Sequence, residues 1–527
     1  MIIFTNGHIR TQNPRQPNAS AMAIANGRIF AIGNDDEIRS FKPAADREED
    51  LAGRTVWPGL TDAHLHLDYY ARGLNYIDCE TTSRAECIER VALRCQATPT
   101  GEWVRGHGWN QNNWIEGFGN AGLLDQISGG HPVYLTAKSL HASWANSQAL
   151  QLAGIMAGTP DPEGGRIGRD EAGQPNGILF ENAMQLVEKT IPELTPAQLL
   201  PLLLDAQQHL WSLGLTGVHD FDGVNCFSAL QALDLSSELK LRVVKSIPRQ
   251  FLPMAIALKL RSGFGSDHLR IGSVKLFSDG ALGPRTAAML QPYAGEAEYR
   301  GMALLDSEEI FEIGRQAVES GLSLATHAIG DLANHEVING YAQIRNYEQE
   351  RNLLPARHRI EHVQIIHPDD LPRLQQLSII ASMQPLHATS DWEIADRNWG
   401  ERSQYAYALQ SIRQLKTSMA FGSDAPVESP NPFLGLHAAV TRTRTDGSPD
   451  PQGWYPQQKL SLVQALEGYT TGAAFAGHYE NDLGQLAPGT FADFIVLDQD
   501  PFSLPATDLW KLSPSGVAVG GEWVWGR

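Results

Sequence analysis

A chain of 527 residues with 42% hydrophobic and 19% charged side chains has material for one large domain with additions, or for two to three domains. Its 41 basic residues against 60 acidic ones give a formal charge of −19. That surface repels phosphate backbones and anionic lipid, which argues against nucleic-acid and membrane partners.

No run of about 18 apolar residues occurs, so no membrane span is expected. Met1–Gly7 carries neither a basic region nor a long apolar core, so no secretory leader is expected and a cytoplasmic location is. The four cysteines are Cys79, Cys87, Cys95 and Cys226. The first three recur every eight residues, which predicts one lined helix face. Their spacing fits neither a zinc knuckle nor a redox pair, and structural thiols in a reducing compartment are expected.

In chain order, residues 1–58 read as short strands at Met1–Phe4, His8–Thr11, Ala21–Ala25 and Arg28–Ile32, with turns at Asn6-Gly7 and Asn26-Gly27. The far end, Ala492–Leu497 and Gly516–Val524, is also strand-rich. Two such ends around a long middle predict a small β-sandwich completed by both termini, residues 1–58 with 483–527.

Next comes an apolar run that turns at Pro58-Gly59 and ends in His64-Leu65-His66. Residues two apart on a strand share a face, so both imidazoles can serve one metal. After a long interval, apolar runs alternate with helical stretches. They lie at Gly217–Phe221, Leu241–Val244, Ile271–Phe277, Leu322–His327, Arg359–Val363, Ile379–Met383 and Met419–Asp424. With the opening run they make eight, which predicts an α/β fold with a (β/α)8 barrel over 59–68 and 201–482. About 154 residues separate His64 from Val218, where one strand–helix unit needs ~30–40. Residues 69–200 are therefore expected to be an insertion after the first strand, covering the active site.

Six metal-competent groups fall on these runs: His64 and His66 on strand one, Lys275 on strand four, His327 on strand five, His362 on strand six and Asp424 on strand eight. All are expected to converge on the C-terminal face, where barrel enzymes do chemistry, and a metal site follows.

Several motifs resemble the amidohydrolase superfamily of metal-dependent hydrolases, in particular its amidohydrolase-3 branch of N-substituted formamide deformylase-like enzymes. They are Pro-Gly-Leu-Thr-Asp-Ala-His-Leu-His at 58–66, Val-Lys-Leu-Phe-Ser-Asp-Gly-Ala-Leu-Gly at 274–283 and Thr-His-Ala-Ile-Gly-Asp at 326–331. Arg-Ile-Glu-His-Val-Gln at 359–364, Gly-Ser-Asp-Ala-Pro-Val at 422–427 and the tail at 484–493 complete the set.

The resemblance implies that His64, His66, Lys275, His327, His362 and Asp424 ligate one or two divalent ions. Zinc is the default, while iron, manganese or cobalt fit the same donors. It also implies that Lys275 is carbamylated and bridges two ions, the alternative being a salt bridge, for instance to Asp279, in a one-metal site. Asp424 is the expected proton acceptor and donor. Trp109, His141, Asp279 and Arg285 are expected to bind substrate, with Trp392 and Tyr405 adding an aromatic wall. Asn110 stands where similar proteins often carry Asp.

The function expected is hydrolysis of a non-peptide carbon–nitrogen bond in a small N-acyl or N-formyl amide. The alternatives are a deaminase or cyclic-amide hydrolase, an isomerase or decarboxylase, or a non-catalytic scaffold. Deamination usually runs on one metal without the strand-four lysine, and the scaffold reading meets a complete ligand set. A homodimer is an expectation of the resemblance only.

Overall fold

Eight of the apolar runs pair side by side, in chain order, as one parallel sheet. They are β1 (Leu60–Leu65), β2 (Leu215–Asp220), β3 (Arg242–Pro248), β4 (Leu269–Phe277), β5 (Leu324–Ala328), β6 (Arg359–His362), β7 (Ile380–Met383) and β8 (Met419–Phe421). The computed structural model describes residues 1–139 and 141–526; Leu140, next to the candidate His141, lies outside them.

The sheet closes on itself just beyond β8. Asp424 N donates to His64 O (2.7 Å) and His66 N donates to Ala425 O (2.8 Å), with Leu65 and Ala425 bridged in parallel. Every residue of β1, β2, β6, β7 and β8 is buried. Strands covered on both faces read as continuous apolar runs, which is why the sequence showed no alternation there. The connecting helices include Ser307–Glu319, opened by a capping box between Asp306 and Glu309, and Asp331–Glu350. The fold is a (β/α)8 barrel.

Two further sheets form the sandwich. Ile2–Thr5, Ala21–Ala25, Arg28–Gly33 and Arg47–Asp50 make one. His8–Arg10, Asn18–Ala19 and Thr55–Pro58 join Phe494–Leu497, Gly516–Val519 and Glu522–Gly526 in the other. Asn26 takes the left-handed φ of 52° that the hairpin between Ala21–Ala25 and Arg28–Gly33 requires, whereas Asn6 (φ 56°) turns the chain from one sheet into the other and makes no hairpin. Phe4, Met22, Ile24, Val56, Phe494 and Val496 fill the space between the sheets, with Phe4 and Phe494 edge to face at 5.2 Å. Both ends of the chain therefore share one core, and Thr55–Pro58 runs on through Gly59 into β1.

Arg72–Thr195 forms a compact unit of its own. Its six-stranded mixed sheet runs Gly165–Arg169, Pro175–Glu181, Ala142–Ala145, Val133–Ala137, Val104–Trp109 and Ile77–Asp78. The helix Arg84–Ala97 packs on it, burying Cys87, Val91 and Cys95. One expectation needs correcting. Ser83 caps this helix by accepting from Glu86 N, so the helix begins after Cys79. Cys79 follows the Ile77–Asp78 strand instead and meets Cys87 thiol to thiol inside the core. All four cysteines are free and buried.

Candidate metal centre

The C-terminal ends of β1, β5, β6 and β8 bring four histidines and a carboxylate together. Nε2 of His64 and Nε2 of His66 lie 3.5 and 3.6 Å from Asp424 Oδ1. The His64 ring centroid is 4.9 Å from that of His362, which is 4.6 Å from that of His327. Backbone strain aims two of these groups: His362 (φ 77°), Val363 (φ 44°) and Asp424 (φ 62°) are left-handed non-glycine residues at the strand ends. Held in that way, Asp424 turns its carboxylate across the barrel mouth towards β1.

Each histidine uses one ring nitrogen to hold itself. His64 Nδ1 lies 2.6 Å from Glu361 Oε2, His66 Nδ1 2.9 Å from Asp222 Oδ1 and His362 Nδ1 2.9 Å from Gln384 Oε1. His327 is reversed, with Nε2 2.9 Å from the Gly280 carbonyl. An acceptor takes the ring hydrogen in every case, which leaves a lone pair on the other nitrogen. For His64 that free nitrogen is buried without a hydrogen-bond partner. An apolar core has no use for such an atom, and a cation does. His64, His66 and Asp424 offer donor atoms within 4.8 Å of one another, as do His362, His387 and Asp424. The residues fit a divalent ion.

A family model described as an amidohydrolase family matches residues 47–525. The chain belongs to the amidohydrolase family.

Among relatives, this amidohydrolase is 32% identical to the protein LONG AFTER FAR-RED 3 of Arabidopsis thaliana, over 99% of this chain and 91% of the other. It is 27% identical to the N-substituted formamide deformylase of Arthrobacter pascens, over 99% and 97% of the two chains. A crystal structure of an uncharacterized metal-dependent hydrolase from Pyrococcus furiosus superposes with a TM-score of 0.81 at 30% identity, covering 95% of this chain and all of that one.

The electrostatics of the amidohydrolase site favour ligation. Burial, reinforced by the Lys275 charge, holds His64 well below the usual imidazole range and His327 at about 4. Burial and the neighbouring His327 hold His362 far down as well. All three are therefore neutral donors near pH 7. Burial opposes ionisation of His66 too, but the Asp222 hydrogen bond and carboxylate charge outweigh it and raise its pKa. Burial also raises Asp424. Lys275 is buried, which lowers its ammonium to about 8. Among the described residues Nζ pairs with no carboxylate and packs over Phe221 (4.6 Å) and Phe277 (4.9 Å). Asp279 is not its partner. That carboxylate accepts instead from the amides of Ala288, Ile329 and Gly330 at 2.8–3.0 Å, and so shapes the loops after β4 and β5.

The remaining candidates lie as follows. Arg285 pairs with Glu296 (2.9 Å). Trp392 packs on the cluster around Trp399, while Tyr405 is partly exposed. In the separate unit, Trp109 is a core residue 1% exposed, its Nε1 donating to Leu135 O (2.9 Å). His141 is exposed and pairs with Glu181 (3.0 Å). Asn110 caps a short turn by accepting from Asn112 N.

Sequence reasoning missed the residues that orient the ligands: Glu361, Asp222, Gln384 and the Gly280 carbonyl. It also missed Arg359, which balances Glu361 (3.0 Å from Nη2) and donates to Ala63 O, Ser382 Oγ and His219 Nδ1 inside the barrel. Arg359 and Glu361 are two apart on β6, within a quoted motif, and that shared inward face was the available signal. His387, on Pro385–Ser390 after β7, gave no signal of its own.

Proposed function

We propose that this amidohydrolase hydrolyses a non-peptide carbon–nitrogen bond, with a small N-acyl or N-formyl amide as its substrate. The observation that carries the reading is the Asp424 carboxylate, buried within 3.6 Å of two free imidazole nitrogens and raised in pKa by that burial. The relative named an N-substituted formamide deformylase supports it.

His64, His66 and Asp424 would hold one divalent ion, zinc by the nature of the donors, and His327, His362 and Lys275 a second. Such an ion, when bound, lowers the pKa of water towards ~7 and draws electron density from a carbonyl. The chain's own part is proton transfer and orientation. Asp424 takes the proton of the attacking water as its oxygen bonds the carbonyl carbon, then passes it to the nitrogen as the carbon–nitrogen bond breaks. Glu361, Asp222, Gln384 and the Gly280 carbonyl keep the four imidazoles in the ligating tautomer throughout.

Lys275 enters as a carbamate. A neutral amine adds carbon dioxide through a new N–C bond and sheds a proton, and the product is an anion suited to bridging two cations. A buried Nζ that makes no direct ion pair among the described residues supports this state. Intact-mass measurement with and without bicarbonate should reveal the adduct, and Lys275→Ala should hold fewer ions. An alanine variant that keeps the full metal content refutes the bridge.

The deciding experiment supplies metal-reconstituted enzyme with N-formyl, N-acyl and cyclic amides and with ring amines, following the released amine or ammonia. Amine release is expected, with kcat falling by orders of magnitude in Asp424→Asn while the fold is kept. Ammonia from a ring amine assigns a deaminase instead, and near-normal turnover by Asp424→Asn removes its assigned role.

A further inference from the structure

Five histidines line the candidate centre, and one is wired differently. His64, His66, His327 and His362 each give a ring hydrogen to an oxygen acceptor, which leaves a lone pair for a cation. The fifth, His387, has its Nδ1 3.4 Å from Gln364 Nε2. An amide nitrogen only donates, so Nδ1 accepts and the ring hydrogen of a neutral His387 sits on Nε2. That Nε2 is buried and has no hydrogen-bond partner among the described residues. A ring nitrogen of His387 lies within 4.8 Å of donor atoms of His362 and Asp424, and the two imidazoles are parallel, centroids 6.4 Å apart at 9°. His387 therefore carries an N–H on a ring at the centre where its neighbours present lone pairs.

An N–H cannot ligate a cation; it needs an acceptor, and the large majority of buried donors in folded proteins have one. The acceptor that amide hydrolysis brings to this point is the carbonyl oxygen. We infer that His387 is a catalytic residue whose Nε2–H holds the substrate carbonyl oxygen, and that Gln364 is the positioning residue fixing its tautomer. The inference rests on the amide-hydrolase reading. As water's oxygen bonds the carbonyl carbon, the C=O pair moves onto oxygen and water's proton goes to Asp424. The pair then re-forms C=O, the C–N bond breaks, and the nitrogen takes the proton from Asp424. His387 keeps its own proton throughout and donates a hydrogen bond that strengthens as the oxygen gains charge.

The test uses metal-loaded full-length protein and formate, the acid product of an N-formyl amide, as a probe that requires no turnover. Metal content, formate affinity by calorimetry and kinetics on the best amide are measured for wild type, His387→Ala and Gln364→Glu. His387→Ala should keep its metal, bind formate roughly 10- to 100-fold more weakly and lose about 100- to 1000-fold in kcat with a smaller change in KM. Gln364→Glu presents an acceptor to Nδ1, moves the lone pair to Nε2 and should weaken formate likewise with metal content unchanged. Loss of an ion in His387→Ala makes it a ligand and overturns the inference. So does wild-type formate affinity in either variant, or a wild type that binds no formate. A wild type that cleaves no amide defeats the functional reading instead, and the metal and formate measurements still decide His387.

Discussion

At the scale of single residues, the candidate centre depends on what stands behind each histidine. Asp222 accepts the His66 ring hydrogen and takes the Asp68 amide through its other oxygen. Its own burial, and the adjacent Asp220 charge, raise its pKa to about 6. Lys245 offsets that concentration of negative charge by pairing with Asp220 at 2.6 Å. Asp222→Ala frees His66 to rotate and to take either tautomer, so metal affinity should fall about 10- to 100-fold with little loss of fold. Competition with a chelator of known affinity measures this, and an unchanged affinity would show that His66 needs no support. The candidate ligands could be picked out in the sequence because each closes or lies on an apolar run. The supporting acceptors were not, because their role exists only across the barrel. Asp222 lies 156 residues from His66, and Glu361 lies 297 from His64. Trp109 shows the converse, since a family-like motif does not distinguish a core tryptophan from a contact residue.

Among elements, the seam between β8 and β1 carries the most constraint. Asp62 on β1 accepts from Ser423 N (3.0 Å), Ser423 Oγ (2.5 Å) and His64 N (3.0 Å), which ties the two strand ends together. The strands approach so closely that a Cβ on Gly422 would lie 2.4 Å from His64 N and 2.7 Å from Asp62 Oδ1. Both atoms are fixed, so Gly422→Ala has to push the seam apart. A core intrusion of this kind costs about 1–3 kcal/mol. The displacement moves His64 and Asp424 apart, so metal should be lost as well as stability. Urea denaturation and metal analysis of the variant check the two effects, and a stable variant with full metal content would show that the seam gives way freely. The eight barrel strands were readable from unbroken apolar runs in regular alternation with helical stretches. The closing pair was not. β8 is only three residues long, and it is completed by backbone bonds from Asp424 and Ala425 that no local pattern announces.

For the molecule as a whole, the question is how the sandwich and the barrel are joined, and the joint is a buried ion pair. Arg242 on β3 and Asp493, just before the Phe494–Leu497 strand, are 3% and 2% exposed at their side chains. Arg242 meets Asp493 through Nε and through Nη2 (2.8 Å), and its Nη1 donates to Asp267 O (2.9 Å). Asp493 Oδ1 also accepts from Gly520 N (2.8 Å), and its carbonyl accepts from Gly59 N (2.9 Å) at the entry to β1. The Phe491 ring covers the guanidinium, 3.7 Å from centroid to Cζ. Neither strand pattern hinted at this contact, because its partners are 251 residues apart. Asp493→Ala leaves a buried guanidinium without its bidentate partner, which costs about 3–5 kcal/mol. Replacing both residues at once, Arg242→Met with Asp493→Leu, removes the charge along with its partner and should cost much less, because the desolvation penalty goes with it. Chemical denaturation of the Asp493→Ala variant and of the double variant reads the difference directly. A single Asp493→Ala variant within about 0.5 kcal/mol of wild type would mean that the run of Thr55–Pro58 through Gly59 into β1 joins the two parts unaided.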